Sequence, residues 1–364
     1  MLIDVVRSFC FSLLLYGKGG SVGLHFDVTS LGHALSMTPL VEYAYFGGTY
    51  ILTGILGLLV YTTLYYKKIH YSFLVPVFLV LGWIGIHYYM PTVSLEKPLR
   101  IAIISTDFPD EENKLQATKQ REERFLSLEK MTYALASSSP DIIVYPEDAR
   151  FLRYLSKEKL QLLKKTFPNT LFVDGDTRAY EQGFANYSLF YEIKDGASAR
   201  NDQTIAGRGK TFLFPFSEYI PALFTPFLHF FMDEKSYSLY KENHSYTKVN
   251  SFGSFPFESV RVATLICSEF LSYTTVRNMA RTGPHIVFLQ SNFTVSKNRV
   301  WFTMQTRSFA QIAAATMRRP LIHVANGSES YIVSPYGIIV KTLEKGLKTT
   351  LITIAVDGSL QIEE

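Results

Sequence analysis

Cysteine is almost absent from this chain. Only two occur among 364 residues, Cys10 and Cys267, too few and too far apart for a disulfide framework or a cysteine-built zinc site. Charge is also scarce, at 19% of residues, and the net +4 is scattered, which argues against a nucleic-acid partner. The eight histidines show no H-x-x-x-H spacing, so no resident metal is expected. No G-x-S-x-G begins a serine triad. Gly207-Arg208-Gly209-Lys210 lacks the spacing of a phosphate-cradling loop, and no cofactor is expected. The Asn-x-Ser/Thr sequences at Asn186 and Asn243 are read as chance. What is abundant is apolar and aromatic: 47% hydrophobic residues and 15% aromatic, which excludes disorder. A mean hydropathy of +0.09 points to a chain partly in lipid.

The apolar excess lies at the front. No charged residue occurs between Glu42 and Lys67, or between Lys68 and Glu96. A helix crossing a hydrocarbon core of ~30 Å needs about 20 such residues, so two membrane helices are expected, over about 43–66 and 72–90. A third, short one is expected over about 5–17, where Ser8–Gly17 is apolar but bounded by Arg7 and Lys18; a signal peptide is the alternative for this stretch. Gly20–Val41 reads as an interfacial or re-entrant loop. Residues 1–95 thus form an expected transmembrane region. Lys67 and Lys68, between the two longer helices, place that short loop in the cytoplasm and everything after Pro91 on the outer face.

From residue 98 to 364 the texture is that of a catalytic domain. Apolar strands such as Arg100–Ser105, Asp141–Tyr145 and Val260–Ile266 alternate early with helical stretches and run together late, which predicts a layered α/β domain with a mixed sheet. Glu147 and Cys267 each follow an apolar strand at its carboxyl end, where sites gather in open α/β sheets. Lys210 stands in what reads as a Gly-rich turn. Singly, each has a plain structural explanation. Together they form a sufficient set for acyl transfer: a carboxylate to take the thiol proton, a thiol to attack, and an ammonium to stabilise the oxyanion. Pro221–Phe231 is rich in Phe, and reads equally as an acyl-guiding or membrane-dipping loop and as ordinary core.

Three segments carry a resemblance. Tyr145-Pro146-Glu147, the run from Lys210 to Pro221 (K-x-x-L-x-P-F-x-E-Y-x-P) and Ile266-Cys267-Ser268-Glu269 look like the three signatures of the nitrilase, or carbon–nitrogen hydrolase, superfamily. The middle one resembles the bacterial apolipoprotein N-acyltransferases. The resemblance covers about residues 98–340 and implies a four-layer αββα nitrilase-like sandwich preceded by an α-helical transmembrane region. It implies Glu147 as general base, Lys210 as oxyanion stabiliser and Cys267 as nucleophile, with Glu218 and Glu269 as supporting acids. Glu218 would orient Lys210, and Glu269 would fix the loop holding Cys267. Ser268, Asn292, Phe224 and Phe227 are the expected substrate contacts. The family usually has Tyr where Ser268 stands, and an Asn-Asp-x-Trp-Phe run of which only Asn292 survives.

The implied partners are a phospholipid acyl donor, a lipoprotein acceptor and the membrane. The implied location is the cell (inner) membrane, multi-pass, with the catalytic domain on the periplasmic face, and the chain is expected to act as a monomer. A membrane-anchored amidase with the same triad, or a non-enzymatic lipid or lipoprotein binder, are the alternative readings.

Overall fold

The structure is a computed structural model that describes residues 1–27, 30–65, 73–90, 92–109, 114–181, 183–193, 204–251, 253–294 and 300–363. Its front is helical: α1 (Leu2–Leu14), α2 (Ala44–Tyr65) and α3 (Leu74–Tyr89), with 3-10 turns over Leu31–Leu35 and Pro39–Tyr43. α1 is inside-out relative to a helix on a water-soluble surface. Asp4, Ser8 and Ser12, spaced to share one face, are buried, whereas Leu2, Ile3, Val6, Phe9 and Leu13 are exposed. The buried face is fully used. Asp4 accepts from Ser30 Oγ (2.7 Å), and Ser8 Oγ accepts from Tyr50 Oη (2.8 Å) and from Phe26 N (3.2 Å).

Of the two longer apolar runs, the first is as long as expected and the second is shorter. Pro39–Tyr65 is long and apolar enough to cross a membrane, and it is the one such helix among the described residues. It bends at Gly48, whose φ of +58° favours glycine and whose Cβ would stand 2.5 Å from the Tyr273 ring. α3 has 16 residues, about 24 Å at 1.5 Å per residue, which is short of a full hydrocarbon core. Lys67 and Lys68, on which the expected orientation rests, lie outside the described residues.

Behind the helices stand two sheets. The first half of the domain supplies β1 (Leu99–Ser105), α4 (Lys114–Ala134), β2 (Ile142–Val144), α5 (Phe151–Tyr154), α6 (Lys157–Thr166), β3 (Leu171–Tyr180), β4 (Gly183–Glu192) and β5 (Thr204–Gly209). After it come α7 (Thr225–Phe231), α8 (Glu234–Asn243), β6 (Phe255–Phe257), β7 (Val260–Ile266), α9 (Tyr273–Arg281), β8 (Ile286–Asn292), α10 (Val300–Met317) and β9 (Leu321–Asn326). The chain closes with β10 (Ser330–Val333), β11 (Ile339–Leu343), β12 (Lys348–Ile354) and β13 (Leu360–Glu363). One sheet has the order β13-β12-β1-β2-β3-β4-β5, the other β11-β10-β9-β8-β7-β6. The central strands β1-β2-β3 and β7-β8-β9 run parallel within their sheets.

Alternation along each strand builds the layers. Ile101, Ile103, Val144 and Val173 meet Val262, Phe288, Ile322 and Val324 between the sheets. Their neighbours Ala102, Ile104, Ile143 and Phe172 turn outward onto Leu128, Leu152 and Leu163 of α4–α6. Ala263, Leu265, Val287 and Leu289 turn onto Val276, Met279, Phe309 and Ala313 of α9 and α10. Strands buried on both faces are largely apolar, which is why β2 is an unbroken hydrophobic run and Val262–Ile266 of β7 and Ile286–Leu289 of β8 are nearly so. The result is the expected four-layer αββα sandwich.

The helical front packs into the sandwich. Leu35, Val41, Ala44, Leu52 and Ile55 share a core with Ile312 and Ala315 of α10. At its rim Arg318 Nη1 donates to Glu42 Oε2 (2.8 Å) with both residues buried, and Arg318 Nη2 reaches the carbonyls of Ile86 and Met90. Trp83 Nε1 donates to Glu42 Oε1 (2.8 Å). Removing one partner of such a pair leaves the other charge buried, at about 3–5 kcal/mol. Arg318→Met is therefore expected to lower the midpoint of thermal unfolding in detergent sharply, and the double change with Glu42→Leu to recover part of that loss. An unchanged midpoint for Arg318→Met would show that the latch contributes nothing.

Candidate active site

The parallel strands point their carboxyl ends at one place. Pro146-Glu147 follows β2, Cys267 follows β7, and Asn292 ends β8. Lys210 follows β5 directly. The glycines before it are strand residues paired with β4, not the turn expected from sequence, and Lys210 N donates to Asn186 O (2.8 Å). Glu147 owes its place to Gly175 in β3. A Cβ there would stand 2.5 Å from Asp148 N and 2.8 Å from Pro146 O, so only glycine lets the Glu147 loop lie flat on the strand.

The structure brings Glu147, Lys210 and Cys267 together. Lys210 is 1% exposed, and its Nζ stands 2.8 Å from Glu218 Oε1 and 3.6 Å from Glu147 Oε1. Glu147 lies against the Cys267 thiol, close enough for each to act on the other's charge, and its Oε2 accepts from Asn292 N (3.0 Å). Burial pushes the Glu147 carboxyl above the usual glutamate range, against the pull of Lys210; the Glu218 carboxylate adds to the rise. Burial likewise pushes the Cys267 thiol up, and the Glu147 carboxylate adds to it. Burial alone would lower Lys210, but Glu218 and Glu147 overcome it and hold the ammonium charged. The site sets a thiol against a carboxyl group, beside a fixed ammonium. This arrangement can transfer the thiol proton to Glu147 as the sulfur attacks a carbonyl.

Cys267 sits at φ +47°, in the left-handed region that a non-glycine residue occupies only under constraint. Glu269 supplies the constraint. It is fully buried and accepts from Ile266 N (2.8 Å), Thr211 N (2.6 Å) and Thr211 Oγ1 (2.7 Å), while Arg208 grips it through both Nη1 (2.5 Å) and Nη2 (2.8 Å). Burial would raise its carboxyl, but Arg208 and the Thr211 hydrogen bonds together outweigh this and hold it below the usual glutamate range. One acid thus ties the Cys267 turn to the lysine segment. Glu218 ties the lysine end: besides Lys210 it accepts from Phe214 N (2.8 Å).

The expected substrate contacts are dispersed. Ser268 is buried and turned inward, its hydroxyl 3.3 Å from Phe212 O and 3.5 Å from Glu218 Oε2. Asn292 presents its backbone N–H to Glu147 and its side-chain oxygen to Asn326 Nδ2 (3.0 Å). Phe224 is half-buried against Phe216, with ring centroids 4.9 Å apart. Phe227 and Phe230 are 59% and 82% exposed, so the Phe-rich segment is surface and not core. That segment is fastened to α1, with Ala222 N donating to Tyr16 O (2.8 Å) and Tyr219 Oη to Leu15 O (2.7 Å). Sequence reading missed Arg208, Thr211 and Asn186. A lone buried Arg or Asn leaves no periodic signal, and Asn186 stands out in the sequence only as a chance Asn-x-Ser/Thr match.

No protein-family model matches the chain. The apolipoprotein N-acyltransferase of Aquifex aeolicus (strain VF5) is 26% identical over 337 residues, which cover 88% of this chain and 69% of that protein. Among solved structures, Saccharomyces cerevisiae Nit3, a member of branch 10 of the nitrilase superfamily, superposes with a TM-score of 0.52 at 12% identity, covering 74% of this chain and 94% of that one. The C. elegans NitFhit protein gives 0.52 at 13% identity, covering 73% and 62%. The glutamine-dependent NAD+ synthetase from Acinetobacter baumannii gives 0.50 at 14% identity and covers 74% of this chain; this chain spans 48% of that one. The chain therefore has the nitrilase-superfamily fold and is similar, over most of its length, to an apolipoprotein N-acyltransferase.

Proposed function

We propose that this protein is a membrane acyltransferase that moves a fatty acyl group from a phospholipid, through Cys267, to the N-terminal amine of a lipoprotein. The observation that carries the reading is the buried cluster in which the Glu147 carboxylate meets both the Cys267 thiol and the Lys210 ammonium. In the first half, Cys267 Sγ attacks the ester carbonyl and Glu147 takes the thiol proton. Lys210 stabilises the tetrahedral oxyanion, with Glu218 holding its Nζ in place. The C–O bond breaks, the lysophospholipid alkoxide takes the proton back from Glu147, and an acyl thioester remains on Cys267. In the second half the acceptor amine attacks the thioester, Glu147 takes its proton, the C–S bond breaks, and the thiolate is reprotonated.

The similarity to the Aquifex protein supports the choice of donor and acceptor. The outward apolar faces of α1 and of the Phe-rich segment, joined through Tyr16 and Ala222, support a lipid-facing side next to the lysine segment. On this reading the helical front lies in the cell membrane and the sandwich on its periplasmic face.

Purified protein in mixed micelles with phospholipid should add one acyl chain to a diacylglyceryl lipopeptide with a free N-terminal amine, and none to the same peptide with the amine acetylated. Release of free fatty acid with no acylated peptide would replace this reading with that of a hydrolase using water.

A further inference from the structure

Asn186 lies in β4, outside the triad and its two supporting acids, and it is buried. Its Nδ2 stands 3.1 Å from Glu147 Oε1 and 3.4 Å from Glu218 Oε1. These are the same two oxygens that Lys210 Nζ approaches at 3.6 and 2.8 Å. The amide has one workable orientation, since its other edge would set an acceptor oxygen against two carboxylates. Thr177 Oγ1, 2.9 Å from Asn186 Oδ1, holds the far edge. The backbone carbonyl of Asn186 accepts from Lys210 N, so one residue positions all three charged groups.

We propose that Asn186 is a positioning residue that keeps Glu147 ionised and separate from Glu218, so that Glu147 is the carboxylate that takes the thiol proton. The charge count makes such a donor necessary. Two buried carboxylates face one ammonium, and like charges this close drive one of them to retain a proton. The groups facing Glu147 are Lys210 after β5, Glu218 in the segment beyond it, Cys267 after β7, the adjacent Asp148, and Tyr246. Only Lys210 among them is a cation. The Asn186 N–H and the Asn292 backbone N–H are the neutral donors that complete the stabilisation of the Glu147 anion. Without Asn186, Glu147 holds its proton to higher pH and cannot accept the one on sulfur.

The proposal rests on the acyl-transfer reading only in naming Glu147 as base, and its test needs neither phospholipid nor lipopeptide. The full chain in detergent is treated with iodoacetamide across pH, and alkylation of the Cys267 peptide is followed by mass spectrometry. In that reaction sulfur displaces iodide and the thiol proton passes to Glu147. Asn186→Ala should slow alkylation by about 10-fold on the acid side and move the acid limb to higher pH, since a hydrogen bond to a charged group is lost. The alkaline plateau should be unchanged. Asn186→Asp, which adds a third carboxylate, should move the limb further. Thr177→Val, which removes the hydroxyl that stands 2.9 Å from both Asn186 Oδ1 and Asp148 Oδ1, should move it less and in the same direction, and, compared with Asp148→Asn to separate the two contacts, it decides the matter if the Asn186 variants fail to fold. A profile superimposable on the unaltered protein, or one lowered by the same factor at every pH, would overturn the proposal. An absent acyl adduct in the unaltered protein would instead count against the acyltransferase reading alone.

Discussion

Cys267→Ala is expected to abolish both the acyl adduct and turnover, because among the described residues no other thiol stands against Glu147. Glu147→Gln keeps the size and hydrogen bonding of the side chain but removes the base, and should slow single-turnover acylation of Cys267 by ~10²–10⁴. Lys210→Met removes the charge that meets the oxyanion, and should slow it by about 10²–10³. The pH dependence has a definite sign. Burial raises the Glu147 carboxyl, so activity should fall as pH drops through a value above the ordinary glutamate range. Lys210 is raised, so its charge should persist through the alkaline range. Unchanged acylation in both Glu147→Gln and Lys210→Met would show that the triad is wrongly assigned.

Glu269→Gln should have the largest effect on stability. It leaves Arg208 buried without its counter-ion and weakens the acceptor of Ile266 N and both Thr211 donors, an expected loss of about 3–5 kcal/mol in denaturant unfolding. The carboxyl of Glu269 is held below its ordinary range, so its contribution is complete above the unfolded-state pKa and is lost as pH falls through the depressed folded value. The gap between Glu269→Gln and the unaltered protein should therefore narrow in strong acid. The double variant Arg208→Met with Glu269→Leu should regain only part of the stability, since Ile266 N and the Thr211 donors lose their acceptor, and none of the rate, because nothing then holds Cys267 at its left-handed φ. Recovery of rate together with stability would mean that Glu269 only neutralises Arg208.

Much of this was legible in the sequence. β2, β7 and β8 are largely apolar because both of their faces are buried, and the site residues stand at their carboxyl ends. Glu218, eight residues after Lys210, does hold its Nζ. The pairing of Gly207-Arg208-Gly209 as strand was hidden, because glycine reads as turn where the partner strand is unknown. Ser268 could not be placed from sequence: the residue after a left-handed nucleophile can face either way, and here it faces Glu218. Nor could the latch of Glu42 to Arg318, whose partners lie hundreds of positions apart and which joins two regions that composition alone sets apart.

The central claim is that Cys267 carries an acyl group drawn from phospholipid. Mass spectrometry of the Cys267 peptide from native membranes, with and without neutral hydroxylamine, tests it most directly. The expected result is a mass increment of one fatty acyl chain on Cys267, removed by hydroxylamine and absent in Cys267→Ala. An unmodified Cys267 peptide in membranes where acceptor lipoprotein has been depleted, so that the thioester has nowhere to go, would contradict it.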